Sequence, residues 1–376
     1  MEWIRRIPIA IFSFALLGNV LQAQEAIPDL PPMKAMVSVP ILPDPLRCEG
    51  SCGFYTGASL YLLKPYFSNS NTAYITNTGF GGTSPTQTTT DFSWDYSASP
   101  AIWLGWTSEN GLGIRGRFFY FNQNSQTATT SLTANQAFNG GVTIDGPNGL
   151  PAPASASSSS FGSPGALFVS TNGLASDVLT FTSSLRILTA DLEATWMGRS
   201  GNWSWVLGGG GRYLTLAQNY QGTLTNNISA AQGGPANETT TLATGHNFNG
   251  FGPTINFCGN YRVLNTGLSL YGDVRGSFLV GSTSQFTNFN RVIIDPNGIG
   301  TGTVPPQGYS VSSNRDMTMP VLEIELGVAY TFMLGRVQSV ISAGAVNQTY
   351  FDAGSASQTS GNLSLFGGRF SLGLQF

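Results

Sequence analysis

Few side chains in this chain of 376 residues are placed for acid–base, nucleophilic or metal chemistry. Glu323 and Glu325 are two residues apart, and paired carboxylates can carry out acid–base chemistry or bind Ca²⁺. No partner accompanies them at a defined distance. His246 is the single histidine, and nothing resembling the nucleophile of a Ser-His-Asp arrangement accompanies it. We therefore expect no enzyme activity, no metal site and no cofactor.

The three cysteines offer little more. Cys48 and Cys52 are close enough to form a local disulfide in an oxidising periplasm, and free thiols are the alternative. Half of a zinc site would lack a second pair of ligands. Cys258 lies within a predicted strand, where we expect a small structural residue.

Thirteen charged side chains fall on one face of predicted strands, opposite a row of apolar residues. Because an Arg facing lipid near the bilayer centre costs roughly 2–4 kcal/mol, this face must point into the lumen of a barrel. Two readings stay open: a water-filled lumen whose mixed charges screen solutes, or ion pairs that fill a narrow closed lumen. The candidate pore-lining residues are Arg115, Arg117, Asp191, Glu193, Arg212, Arg262, Asp273, Arg275, Glu323, Glu325 and Arg369; Asp91 and Asp95 are expected on the same face.

The elements that position these residues are strands with a period of two. The clearest run has Leu322, Ile324 and Leu326 opposite Glu323 and Glu325. Similar runs, longer than the strands of soluble sheets, cover 92–106, 112–120, 188–196, 268–280 and 366–376. In the first, Phe92 and Trp94 are placed on the apolar outer row. The pattern predicts an all-β fold, a transmembrane antiparallel up-and-down barrel of about 12 strands (range 10–14), two of them within the ambiguous 122–180 stretch.

The connections between these strands alternate in length. Short turns are expected at 108–111, 199–202, 265–267 and near Gly335. Long polar loops are expected at 68–90, 122–180, 219–244, 282–316 and 352–361. Short periplasmic turns and long extracellular loops are typical of outer-membrane barrels.

The amino terminus predicts export. Arg5 and Arg6 precede an apolar run and a small residue, Ala23, which indicates a cleaved signal peptide over 1–23. Residues 24–52 form a Pro-rich periplasmic segment without helical or strand period, and 53–376 form the barrel. We therefore expect the protein in the bacterial outer membrane, with the bilayer as a partner.

The carboxyl terminus is an alternating strand that ends on Phe376. It resembles the terminal signal by which the bacterial barrel-assembly machinery recognises outer-membrane proteins. Composition agrees with a barrel, because charged residues are only 9%. The net charge of −3 argues against nucleic acid as a partner.

Several segments resemble a known family. Gly53–Pro65, the pair 100–106 and 111–121, and Leu188–Ala194 are similar to strands of the planctomycete outer-membrane β-barrel proteins, which are related to pore-forming major outer-membrane proteins of Legionella. The resemblance implies a passive pore and brings no catalytic residues.

The function expected from the sequence is a porin-like channel for passive diffusion of ions and small polar solutes. The alternative is a non-conducting structural or surface-interaction barrel, engaged in adhesion or envelope organisation. An outer-membrane enzyme and a carrier for hydrophobic compounds have less support. A homo-oligomer stays open, because no interface is legible in the sequence.

Overall fold

The computed structural model describes residues 53–68, 71–78, 86–132, 143–145, 166–167, 177–228, 236–263, 266–294, 307–356 and 361–376. The regular elements in these ranges are β-strands. In the same ranges, no helix is long and apolar enough to cross a membrane. The expected signal peptide, the Pro-rich segment and the Cys48–Cys52 pair lie outside the described residues.

The strands, in chain order, fall into long and short ones. They are β1 (Gly53–Phe67), β2 (Thr72–Thr78), β3 (Thr86–Asp91), β4 (Ser97–Thr107), β5 (Leu112–Asn124), β6 (Ala128–Leu132), β7 (Thr143–Asp145), β8 (Ala166–Leu167), β9 (Asp177–Ser200), β10 (Trp203–Ile228), β11 (Ala236–Arg262), β12 (Leu268–Ile294), β13 (Gln307–Leu334), β14 (Val337–Tyr350) and β15 (Leu363–Gln375).

Among the described residues, ten strands close into a ring in which neighbours are antiparallel. The order around the ring is β1, β4, β5, β9, β10, β11, β12, β13, β14 and β15. The all-β antiparallel barrel is therefore confirmed, with ten strands at the lower end of the expected range. In the described parts of the 122–180 stretch, β6, β7 and β8 do not join the ring: β6 pairs with β9 beyond the end of β5, and β7 and β8 join β2 and β3 in a separate four-stranded sheet.

The seam between β1 and β15 closes the barrel. Its register runs from Tyr55 opposite Gln375 to Phe67 opposite Leu363. The backbone N–H of Phe376 donates to the carbonyl of Phe54 over 3.0 Å, so the last residue is part of the seam. That the barrel-assembly machinery reads this residue stays a prediction.

The tight turns lie at the end of the barrel where β1 begins and β15 ends. Two of them depend on glycines in the left-handed region, Gly201 (φ 59°) and Gly335 (φ 66°), which only glycine enters at little cost. This end is periplasmic, because the long connections lie at the other end.

Strand alternation places apolar residues outside and polar residues inside. On β15, Phe366, Phe370 and Leu372 are 47–55% exposed, while Arg369 bonds Ser59 inside the barrel. The 92–106 run is an exception. Residues 92–96 are not in a strand, so Phe92 and Trp94 turn inward and are buried, whereas Asp91 and Asp95 are exposed rather than in the lumen.

The predicted loops at 219–244 and 282–316 are largely strand. β10, β11, β12 and β13 have 26–28 residues each, about twice the length of β14 and β15 with 14 and 13. The prediction was wrong because the outward residues of these extensions are polar. Above the hydrocarbon no lipid requires an apolar outer row, so the pattern that marks membrane strands disappears while the pairing continues.

The close approach of β15 and β1 at the seam leads to a testable prediction. At Gly367, a Cβ would collide with the backbone carbonyl of Leu62, so Gly367→Ala should lower the free energy of unfolding by about 1–3 kcal/mol. At Gly276 on β12, a Cβ would meet no heavy atom within 4 Å, and Gly276→Ala should change it by less than about 0.5 kcal/mol. Urea unfolding in detergent, followed by tryptophan fluorescence, measures both variants. Equal losses would contradict the close approach at the seam.

Candidate functional site: the charged layer of the lumen

The structure brings ten of the eleven predicted lumen residues into one layer inside the barrel, here called the charged layer. Alternation places them in pairs two residues apart on neighbouring or facing strands. Its members are Arg115 and Arg117 (β5), Asp191 and Glu193 (β9), Arg212 (β10), Asp273 and Arg275 (β12), Glu323 and Glu325 (β13), and Arg369 (β15). Whether they line a conducting path stays a prediction.

Asp191 is the hub of the layer. Arg212 donates to it through Nε over 2.7 Å and through Nη2 over 2.9 Å, which is the bidentate geometry that makes such pairs strong. The guanidinium of Arg275 lies 3.4 Å away, and that of Arg117 lies 3.6 Å away. One carboxylate thus faces three guanidinium groups.

Glu323 connects opposite walls of the barrel. It pairs with Arg117 over 3.0 Å and with Arg212 over 2.5 Å. Arg117 is on β5 and Glu323 is on β13, which are on opposite sides of the ring. The ion pair therefore spans the barrel at this height.

Glu193 and Asp273 extend the layer on the other side. Glu193 accepts from Arg115 Nε over 3.0 Å and pairs with Arg275 Nε over 3.2 Å. The side chain of Asn256 accepts from Arg115 over 2.9 Å and donates to Asp273 over 3.1 Å. This asparagine, on β11, links two charged groups and was not among the predicted residues.

A smaller group surrounds Glu325. It pairs with Arg369 over 2.6 Å and accepts from the Tyr271 hydroxyl over 2.5 Å. The guanidinium of Arg369 also donates to Ser59 over 2.8 Å and lies 5.4 Å from the ring of Trp103, within the range of a cation–π contact.

Arg262 is the one predicted residue that does not join. It is 8% exposed and lies near the periplasmic turn, beside Asn202, Trp203 and Ser269. It faces inward as expected, but two inward positions, Asn260 and Cys258, separate it along β11 from Asn256.

The layer is neutral and desolvated. It holds five guanidinium groups and five carboxyl groups, and the paired side chains are 0–13% exposed. Burying a charge without a partner is costly, whereas complete pairing offsets most of that cost. In the described part of the chain no group of three His, Cys, Asp or Glu is placed to hold a metal ion. The arrangement can hold strands in register.

A cavity of about 60 Å³ remains within the layer, lined by Arg115, Asp273, Glu325 and Arg369 among others. One water needs on the order of 10–15 Å³ of such space, so the cavity has room for a few water molecules.

Apolar side chains fill the lumen on both sides of this layer. On the extracellular side all ten ring strands contribute to one buried cluster, which we call the apolar plug. Representative members are Leu63, Phe119, Leu214, Phe248, Leu279, Val321, Tyr350 and Leu365. On the periplasmic side Tyr55, Trp103, Val206 and Cys258 form a smaller cluster.

Sequence reasoning missed the apolar plug, although a signal was present. The inward row changes character along each strand: Arg115 and Arg117 are followed by Phe119 and Phe121, and Arg212 by Leu214. Judging that row as simply polar concealed the change.

Two connections reach from one side of the ring to β10 and β11 on the other. Gln218 donates to the carbonyl of Ala353 over 3.0 Å, and Thr244 donates to that of Ala356 over 2.9 Å. The Tyr220 hydroxyl donates to the carbonyl of Ala73 over 2.8 Å. These three bonds hold the β14–β15 connection and β2 in the lumen, and we call them the cross-lumen bonds.

His246 belongs to this region and not to the charged layer. It is buried, and its Nε2 lies 2.6 Å from Thr283 Oγ1. Thr283, the hydrogen-bond partner of its Nε2, is not a carboxylate, so this contact gives no support to the Ser-His-Asp arrangement of a hydrolase.

Neutrality of the charged layer yields a prediction. Arg212→Met leaves Asp191 and Glu323 short of a partner, so the free energy of unfolding should fall by about 3–5 kcal/mol. Adding Asp191→Asn restores net neutrality, and the double variant should lose less than Arg212→Met alone. Arg336→Met, at an exposed position of a periplasmic turn, is the control and should unfold as the wild type does. A double variant as unstable as the sum of the two single variants would refute the coupling.

Comparisons with known proteins agree with this architecture. Residues 48–373 match the family described as Legionella pneumophila major outer membrane protein precursor; the finer resemblance to planctomycete proteins stays a prediction. Among curated proteins, none matches the chain.

Similar solved structures include the Escherichia coli outer membrane protease OmpT, with 9% identity over 87% of this chain and 98% of that one and a TM-score of 0.34. A Pseudomonas aeruginosa FadL homologue has 8% identity over 86% and 90%, with a TM-score of 0.25. The P. putida toluene transporter TodX has 6% identity over 86% and 89%, with a TM-score of 0.19. These TM-scores are too low to support any functional argument. The family match covers most of the chain, which therefore belongs to the Legionella major outer membrane protein family and resides in the bacterial outer membrane.

Proposed function

We propose that this protein is a closed outer-membrane barrel that acts through its cell-surface part and does not conduct solutes. The observation that carries the proposal is the apolar plug, to which every strand of the ring contributes. A ten-stranded barrel is only slightly wider than the eight-stranded kind that side chains can fill. Apolar side chains of opposite walls therefore meet in the lumen.

The charged layer supports the same proposal. Its cross-lumen pair of Arg117 with Glu323 is nearly buried, whereas side chains that line a water-filled pore are solvated. A solute that crosses this height must break ion pairs and leave charges without partners, at a cost of several kcal/mol. A neutral, paired layer also provides no net field to select ions.

The porin-like channel expected from the sequence is the second candidate. Two observations favour it: the water-sized cavity within the charged layer, and the small number of cross-lumen bonds that hold two connections in the lumen. If those connections left the lumen, the apolar plug would lose Ala73, Ala353 and Ala356, together with Phe92 and Trp94, which belong to the same β1–β4 connection as β2. The wall residues of the plug would stay.

Planar-bilayer recordings separate the candidates. The wild-type protein should give no conductance steps, and insertion should be verified independently by protease protection in the matching liposomes. Discrete steps from the wild type would overturn the closed barrel and support the porin.

A variant without two of the three cross-lumen bonds sharpens the comparison. Gln218→Leu with Thr244→Val removes the side-chain donors to Ala353 and Ala356 and keeps side-chain volume. A closed barrel stays silent, because the wall residues still fill the lumen, whereas a channel blocked only by these connections begins to conduct. Gln221→Leu with Thr241→Val is the matched control, since these residues point outward on the same two strands. Conductance in the first variant alone would favour the porin.

A further inference from the structure

The outer surface of β10–β13 changes abruptly at one height. Tyr213, Phe251 and Val280 lie side by side and are 43–63% exposed. The next outward row, two residues higher, is Thr215, Asn249 and Ser282. From Phe251 down to Tyr261, β11 presents an apolar band of 11 residues, and a membrane strand of that length spans the hydrocarbon. The apolar belt therefore ends at Phe251.

Above the belt these four strands continue as a paired sheet. We call the outward residues of 215–223, 241–249, 282–290 and 308–316 the polar wall. The registers place them in five successive rows across four strands. With strands about 4.8 Å apart and alternate residues about 6.7 Å apart, the wall measures roughly 14 by 27 Å.

The polar wall is almost free of charge. Of its 20 positions, 14 are Thr, Ser, Asn or Gln, and only Asp316 is charged. A nearby charged residue, Arg315, occupies the opposite, inward parity of its strand. Designs of soluble proteins aim for roughly 25–35% charged surface residues, and 9% of all residues in this chain are charged. A regular surface that offers donors and acceptors without charge needs an explanation.

This composition argues against two kinds of partner. Protein interfaces are enriched in aromatic residues, Met and Arg and depleted in Ser, and the wall has a single aromatic residue, Phe286, packed over Gly245. Phosphate or other anionic groups are recognised by Arg and Lys, and the 20 positions contain neither.

A neutral saccharide chain fits what remains. Its hydroxyl groups donate and accept, as do the amides and hydroxyls of the wall, and it carries no charge that would need a counter-ion. The location agrees, because the wall begins where the apolar belt ends on the extracellular side, within the sugar layer of outer-leaflet glycolipids.

We propose that the polar wall binds the neutral saccharide chains of the outer-leaflet glycolipids of its own membrane. This inference deepens the surface-interaction part of the proposed function and rests on it. Each contact is weak, and affinity comes from many hydrogen bonds along one chain. Since no ion pair takes part, binding should depend little on salt.

The experiment uses the full protein in detergent. Saccharide chains are released from outer membranes of the cells that make it, and the neutral fraction is separated by anion exchange. Titration at 50 and 500 mM NaCl should give dissociation constants within about twofold of each other. The triple variant Asn249→Ala, Asn288→Ala and Asn314→Ala, at exposed outward positions, should bind at least about tenfold more weakly, a loss of about 1.4 kcal/mol.

The matched control replaces three exposed asparagines away from the wall, namely Asn110, Asn124 and Asn202, and should bind as the wild type does. No binding, or equal binding by both triple variants, overturns the proposal. So does preferential, salt-sensitive binding to vesicles of anionic lipid, which assigns the wall to charged headgroups. A concentration-dependent dimer in light scattering that the wall variant abolishes assigns it to a second copy. Conductance of a protein that still binds saccharide would refute the closed barrel alone.

Discussion

The structure depends on one constraint: a charged side chain cannot face hydrocarbon, so the charges of a membrane strand must gather inside. In a ten-stranded ring the inside is narrow, and the gathered charges come within ion-pair distance of one another. Asp191 and Glu323 meet guanidinium groups from three strands. Neutrality within the layer follows from desolvation, because an unmatched charge there would have neither water nor partner.

The same constraint fixes strand register. A slip of one residue would exchange the two faces of a strand and would turn Glu323 and Glu325 toward lipid while Ile324 entered the charged layer. The pairs at i and i+2 on β5, β9, β12 and β13 thus act as register marks. Buried ion pairs contribute little net stability when fully matched, yet they penalise each misaligned alternative.

How far the sequence predicts this molecule can be seen residue by residue. The inward direction of Arg115 or Glu325 was predictable, because their strands alternate within the hydrocarbon. Their ion-pair partners were not predictable. Arg117 pairs with Glu323 across the lumen because of the number of strands in the ring, and the local alternation of residues gives no information on that number. The extracellular parts of β10–β13 were not predictable as strands, because their outward Thr, Ser and Asn residues form no apolar row. The prediction that Phe92 and Trp94 face outward was wrong because alternation holds only within a strand, and the strand that follows them, β4, begins at Ser97.

The apolar interior of the barrel and its polar wall depend on the same long strands. Strands β14, β15, β1 and β4 have 11–15 residues, and their connections turn inward or over the lumen. Strands β9–β13 have 24–28 residues and stand above the membrane. Inside, that upper sheet carries Leu242 and Phe248 into the apolar plug; outside, it carries uncharged polar residues. The tall polar surface and the apolar interior are therefore two faces of the same strands.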